Sequence, residues 1–373
     1  MKVAAQAGVA GAATQSFPLV AVFVITLLAL GLFYLAIAKR LRPPFLLPLT
    51  AGLILANLPD PSLIAHLKPF LVILDAGLDN GLYPALILLG WGANADLSSV
   101  IAHPRQLLLA LVAPAGIFLT ILLAWGFGLH PQEAGAISMI GGGEAISTVF
   151  LASCLAPELV GPLGLLAFLA IGFLPLIQPS LMRLLTTSAE RMLYMPPMRK
   201  VTKSESLGFA LGGLLITALL VPRAILLTGM FFLGNIIKES GVSDRLARTI
   251  SVGMLDVVIV LFGLDLGTRC QAGLLLSINF LKMIGLAAVA LVLVTVMGIV
   301  AVKLANLIFT QKINPLVGAA AVGSVPDAAQ MVHLVSRQED PRNYLYIHAL
   351  ASNLGGLIAA TLTAGLLWAM WGG

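Results

Sequence analysis

Read as a pattern of apolar and polar positions, the chain is a series of long apolar runs separated by short charged stretches. The first run, FPLVAVFVITLLALGLFYLAIA at 17–38, is long enough to span a bilayer at 1.5 Å rise per residue and ends in KRLR. That ending is a stop-transfer pattern rather than a small-residue cleavage site, so the run is expected to stay as a transmembrane helix. About twelve apolar segments occur along the chain, centred near residues 27, 51, 90, 116, 142, 170, 214, 231, 259, 290, 322 and 358. Four are too short or too interrupted for plain spanning helices: FLLPLTAGLILANLP, LYPALILLGWGANADL, the stretch around SMIGGGEAISTVF (138–150) and NPLVGAAAVGSVPDAAQMV (314–332). Glycine and proline at bilayer depth free backbone groups that need new partners, and such breaks are tolerated where they line a buried or wet cavity.

Composition sharpens this. Of 373 residues, 59% are hydrophobic and 10% charged, against about 25% charged in soluble domains. The net charge of +5 comes from basic residues set between apolar runs as cytoplasmic anchors, which excludes nucleic acid as the partner and points to the lipid bilayer. Cys154 and Cys270 lie far apart without metal-ligand spacing. The fold class is an all-α polytopic membrane protein with about 10–12 transmembrane segments.

The longest polar stretch, 183–206, holds Arg183, Arg191, Arg199, Lys200 and Lys203 against Glu190 and Glu205. The positive-inside rule places it and Lys39, Arg40 and Arg42 in the cytoplasm. Five apolar segments lie between these basic loops, so one of them must fail to cross. The chain also repeats: LPLTAGLILAN (47–57) resembles ILLTGMFFLGN (225–235), matching Thr50 with Thr228 and Asn57 with Asn235, and the acid of GGE144 falls opposite that of VPD327. One extra segment before the second copy would invert it, giving two inverted repeats with broken or re-entrant helices crossing near the midplane. The expected organisation is an N-terminal helix with basic stop (1–43), a first repeat (44–182), a basic cytoplasmic loop (183–206), a linking helix (207–222) and a second repeat (223–373).

An ionisable side chain in a membrane costs at least about 2.5 kcal/mol, so function is its default reading. Glu144 follows three glycines able to bare backbone groups, with Ser147 and Thr148 close behind. Oxygen donors of this kind suit Na⁺, a proton on Glu144 is the other option, and a carboxyl holding two half-helices together is the structural one. Asp327, with Ser324 nearby, would meet Glu144 at the midplane, where two carboxylates need a shared cation or proton. Asn314 and Asn353 offer amide oxygens or act as turn and cap residues. Asp265 is a second-tier acid, Asp96 an interfacial one, and His348 a core histidine. No hydrolase elbow, phosphate loop, dinucleotide fingerprint or zinc spacing occurs.

The stretches FYLAIAK, HPRQLLLALVAPAGIF, LAPELVG, LPLIQPSLMRLLTT, GNIIKESGVSDRL, KINPLVGAAAV and HALASNLGG resemble the β subunit of the biotin-dependent, Na⁺-translocating decarboxylases, over about residues 30–365. The resemblance implies a subunit of the inner (cytoplasmic) membrane that releases CO₂ from carboxybiotin and exports Na⁺, with a cytoplasmic α subunit delivering the biotin and a small γ subunit completing the complex. Whether several copies assemble is open. It also implies Na⁺ ligands at Glu144, Asn314, Gly318 and Asn353, with Ser147 and Ser324 adjacent; the catalytic candidates Glu144 and Asp327 come from the paired intramembrane acids, since Asp327, like Asp265, is an acid the family's pattern lacks. The family's aspartate is lengthened here to Glu144, its VPxAAR arginine becomes Gln330, a serine becomes Gly323, and two tyrosines become Phe168 and Ala170. An arginine and tyrosines are what would bind or protonate carboxybiotin, so a stand-alone carrier for Na⁺, H⁺ or a small organic anion is the alternative.

Overall fold

The computed structural model describes residues 19–58, 61–112, 114–323 and 326–372. Every regular element among them is helical. The main ones are α1 (Leu19–Ala38), α2 (Pro43–Ala56), α3 (Pro61–Asp79), α4 (Leu82–Asn94), α5 (Pro104–Ala110), α6 (Pro114–Gly126), α7 (Pro131–Ser138), α8 (Ala145–Leu155), α9 (Val160–Leu185), α10 (Lys203–Leu220), α11 (Met230–Ser240), α12 (Leu255–Thr268), α13 (Ile278–Ile308), α14 (Leu316–Ala319), α15 (Asp327–Glu339) and α16 (Tyr346–Trp371).

Among the described residues, seven helical runs are long and apolar enough to cross a bilayer, and α3 with α4 make an eighth, bent by 58°. Two shorter apolar helices, within α2 and at α8, complete the set. The protein is thus a multi-pass, all-helical membrane protein. The helix α3 is absent from the apolar pattern because His66, Lys68, Asp75 and Asp79 interrupt it; Asp75 and Asp79, one turn apart, both turn to Arg269. The segments near residues 142 and 322 are each split. In the first, α7 passes through a tight turn at Met139–Gly142 into α8; in the second, α14 is only four residues long and α15 starts only at Asp327.

Local sequence explains the ends. Proline opens α2, α5 and α7, where its missing N–H is no loss. A Thr202–Glu205 capping box opens α10, and Ser277 caps α13.

Packing exchanges elements between the halves. The first-half helix α2 lies on α12 and the first-half helix α4 lies on α11. Both crossings are glycine to backbone. A Cβ on Gly52 would lie 2.1 Å from the Leu264 carbonyl, and one on Gly234 would lie 2.0 Å from that of Leu89. Small residues permit such close approach, which is what drives helix association in lipid. Asn57 and Asn235 then do the same work at the two crossings. The Asn57 amide donates to the Cys270 carbonyl at 2.8 Å, and that of Asn235 to the Ala95 carbonyl at 3.0 Å. Each asparagine holds the far end of the helix on which its own helix packs. The largely buried α16 passes through the centre against α5, α8 and α15.

Candidate functional site

The two breaks meet. The Gly323 N–H, in the second break, donates to the Gly142 carbonyl in the first at 2.7 Å. Gly143 has φ 66°, and a Cβ there would lie 2.0 Å from Val322 Cγ1. Only glycine satisfies both the left-handed turn and the contact. Asn353 of α16 ties the second break down, its amide donating to the carbonyls of Ala320 (3.1 Å) and Val322 (2.6 Å).

Glu144 sits at this junction, 1% exposed, as the N-cap of α8. Its Oε1 accepts the Ile146 N–H at 2.7 Å and its Oε2 accepts the Ser147 N–H. Thr148 Oγ1 returns a hydrogen bond to the Glu144 carbonyl at 2.9 Å, and the Ser147 hydroxyl lies beside the carboxylate. The carboxylate therefore satisfies orphan N–H groups of the half-helix and sits at its positive end. No basic side chain pairs with it among the described residues. Each oxygen keeps a further lone pair.

Beside Glu144 lies a cavity of about 30 Å³, room for a water molecule or small ion, walled by Gly143, Phe168, Ile171 and Gly323. Arg42, Phe45 and Trp91 also line it, and the same three line a larger neighbouring cavity of about 380 Å³. That cavity adds Asn94, Asp96, Phe231, Leu350, Leu354 and Leu357. It is an apolar chamber within the usual range for small-molecule sites, with one guanidinium at its junction with the ion-sized space.

The remaining expected residues divide. Asn353 joins the junction, and its Oδ1 is buried with no hydrogen-bond partner among the described residues. Asn314 does not join through any contact. Its amide donates to the carbonyls of Arg191 (2.9 Å) and Leu193 (3.0 Å), its Oδ1 accepts the Leu316 N–H, and Asn343 grips the same two carbonyls. It is an anchor for the 191–193 turn and opens α14 as a turn residue. Gly318 serves as a close-packing position, where a Cβ would lie 2.1 Å from the Gly298 carbonyl on α13. Asp327 does not face Glu144. Pro326 precedes it at the start of the polar helix α15, and its carboxylate pairs with Arg42, so the expected two-carboxylate site gives way to an acid–guanidinium pair. Ser324 lies outside the described residues. Asp265 belongs to a separate cluster with Arg269, and His348 is a buried core residue beside Gln106 and His103.

Two participants were not among the expected site residues. Gln178, fully buried on α9 between Pro175 and Pro179, donates to the Ala319 carbonyl at 2.6 Å, and its Oε1 has no hydrogen-bond partner among the described residues. The signal available was a lone amide between two prolines in an apolar helix. Arg42 reads in sequence as a stop-transfer anchor, yet its backbone turns left-handed (φ 43°) just ahead of Pro43–Pro44 and its side chain enters the cavity wall.

The sequence matches the family described as the Na⁺-transporting oxaloacetate decarboxylase beta subunit over residues 21–371. The chain belongs to this family. It is similar to the methylmalonyl-CoA decarboxylase subunit beta of Propionigenium modestum, at 35% identity over 94% of both chains. It is 36% identical to the glutaconyl-CoA decarboxylase subunit beta of Acidaminococcus fermentans, over 92% of this chain and 91% of that one. The oxaloacetate decarboxylase beta chain of Klebsiella pneumoniae is 32% identical over 92% of this chain and 94% of its own. Within this β-subunit scaffold, Gln330 is solvent-exposed and Phe168 stacks on Phe45 at 4.7 Å, so the wall beside Glu144 is aromatic without a hydroxyl. Arg42 supplies a guanidinium at the cavity.

Proposed function

We propose that this chain is the membrane β subunit of a Na⁺-translocating decarboxylase of the cytoplasmic membrane, working with an α subunit that delivers carboxybiotin and with a small γ subunit. The observation that supports this best is the contact of the two broken segments beside the buried Glu144, which pairs with no basic side chain among the described residues, with an Arg42-bearing cavity next to it. Reciprocal packing of the two halves suits an inverted pair that rocks around such a junction.

The 380 Å³ cavity fits a carboxylated ureido ring by its chemistry: Phe45, Trp91 and Phe231 offer apolar faces and Arg42 a carboxylate partner. When bound, that group supplies the N–CO₂⁻ bond whose breakage releases CO₂ while the nitrogen takes up a proton. Arg42 would hold the carboxylate and leave Asp327 to water at the head of α15. Apolar walls favour loss of charge, because a carboxylate is poorly solvated among them. Na⁺, as the transported ion, would use the space beside Glu144 with oxygens from Glu144, Ser147, Asn353 and Gln178. Arg42 borders both spaces, so an anion on it removes a positive neighbour from the cation site. That is a direct electrostatic link between the carboxylated ligand and ion affinity.

The test is reconstitution in proteoliposomes with a carboxylated biotin carrier. Na⁺ accumulation that depends on the carrier supports the reading. Ion flux equally fast without it overturns the reading in favour of a stand-alone carrier.

A further inference from the structure

A second ionic centre lies away from the Glu144 junction, where α3 and α12 end beside each other. Arg269, which follows α12, meets three carboxylates. Its Nε bonds Asp265 Oδ1 at 3.0 Å, its Nη1 bonds Asp79 Oδ1 at 2.8 Å, and its Nη2 bonds the Asp75 carbonyl at 3.1 Å and lies 3.4 Å from Asp75 Oδ1. One guanidinium thus faces three acids, an excess of two negative charges if all are ionised. Asp265 is 0% exposed, and its Oδ2 is reached by no N–H or O–H among the described residues; Asp75 Oδ1 likewise accepts none. Asp265 Oδ1 and Asp75 Oδ1 lie on adjacent nitrogens, Nε and Nη2, of the same guanidinium, which sets the two carboxyl groups side by side. Two acceptor-only groups side by side, each with a buried oxygen that accepts no hydrogen bond among the described residues, call for a proton between them.

We propose that Asp75 and Asp265 hold one proton between them, forming a protonation site distinct from the Glu144 junction. Two carboxylates this close inside a protein share a proton because both cannot ionise. The other groups facing the pair are Arg269, the partly exposed Asp79 and, from α4, Tyr83; α2, which packs along α12, presents no titratable side chain. Asp79 bonds the same guanidinium and gives the pair a route to water. The site abuts the 58° bend between α3 and α4. Loss of the proton sets two like charges against each other and pushes α3 away from α12 at that bend. The pair is a proton-operated latch between the first and second halves.

Infrared spectroscopy of the purified full-length protein tests this. At neutral pH the wild type shows a protonated-carboxyl C=O band that disappears in Asp265→Asn and in Asp75→Asn and stays in Asp79→Asn. Comparison with each variant separates this band from any contribution of Glu144. Should Asp265→Asn fail to fold, Asp75→Asn decides. The absence of the band in wild type, its persistence in either Asn variant of the pair, or its loss in Asp79→Asn overturns the proposal.

Discussion

Gly323 donates its backbone N–H to the carbonyl of Gly142, 181 residues earlier in the chain, and this bond joins two helices that both stop short inside the apolar part of the molecule. Each break exposes backbone groups that lipid cannot satisfy. One backbone bond ties the breaks to each other, and Asn353, Gln178 and Glu144 bond further freed groups from α16, α9 and the head of α8. Any ion drawn to the freed oxygens of this junction touches both halves of the chain at once.

Glu144 is the first place to test that reading. Replacing it with Gln keeps the length but removes the charge and turns an amide N–H₂ toward a backbone N–H. The lost cap lowers stability by about 0.5–2 kcal/mol. Na⁺-dependent thermal stabilisation, expected in the wild type, should vanish in Glu144→Gln and survive in Glu144→Asp, since aspartate is also a strong N-cap. An unchanged Na⁺ response in Glu144→Gln removes this carboxylate from the ion site.

Gly143 sets the junction's tightness. Alanine there meets a left-handed backbone, at roughly 1–2 kcal/mol, and a clash with Val322 of a further 1–3 kcal/mol. Adding Val322→Ala should recover the packing part and leave the backbone part. Denaturation midpoints of the single and double variants separate the two, and full recovery in the double variant would show that the turn itself is not strained.

How far the sequence revealed all this depends on the kind of signal. Glycine triplets and prolines inside apolar runs announce broken helices, because they fail as helix interiors in any context, and the junction at Glu144 was legible for that reason. Asn57 and Asn235 were legible as a matched pair, and each holds the helix packed on its own. Partner choice was not legible. Asp327 shares an offset with Glu144, yet its partner is Arg42, fixed by where α15 starts and by the left-handed turn before Pro43. Asn314 carries the residue type of a ligand, but its amide N–H₂ holds the 191–193 turn and its Oδ1 accepts the Leu316 N–H. The helix α3 escaped notice because its charges are paid back by Arg269, almost 200 positions later. Such long-range pairings leave no periodicity.

At the 183–191 loop, the Ser188 hydroxyl and the Arg191 guanidinium (2.8 Å) hold the Glu339 carboxyl below its ordinary value. A carboxylate lowered in the folded state adds stability above its unfolded value, near pH 4.5, and loses it as pH falls through the folded value. Glu339→Gln should therefore lower the thermal midpoint at neutral pH, and the gap to wild type should close on acidification below about pH 4.5. A gap independent of pH would mean that the effect is one of packing.

Arg42 offers the sharpest separation of structure from function. Its pair with Asp327 is partly exposed on both sides, and pairs of that kind contribute about 0–1 kcal/mol. Asp327 also keeps a favourable place at the N-terminus of α15 without it. Arg42→Gln should consequently fold and melt within about 1 kcal/mol of wild type. If the guanidinium is the carboxylate partner in the cavity, losing a charge-assisted contact of about 1.5–3 kcal/mol weakens capture by roughly ten- to a hundredfold. Arg42→Lys should fall between, because lysine keeps the charge but not the two-pronged geometry. The readout is carboxybiotin-driven Na⁺ uptake at limiting and saturating carrier, with the loss concentrated at limiting concentrations. Equal uptake by Arg42→Gln and wild type at limiting carrier would assign Arg42 to the α15 ion pair alone and send the carboxylate elsewhere in the molecule.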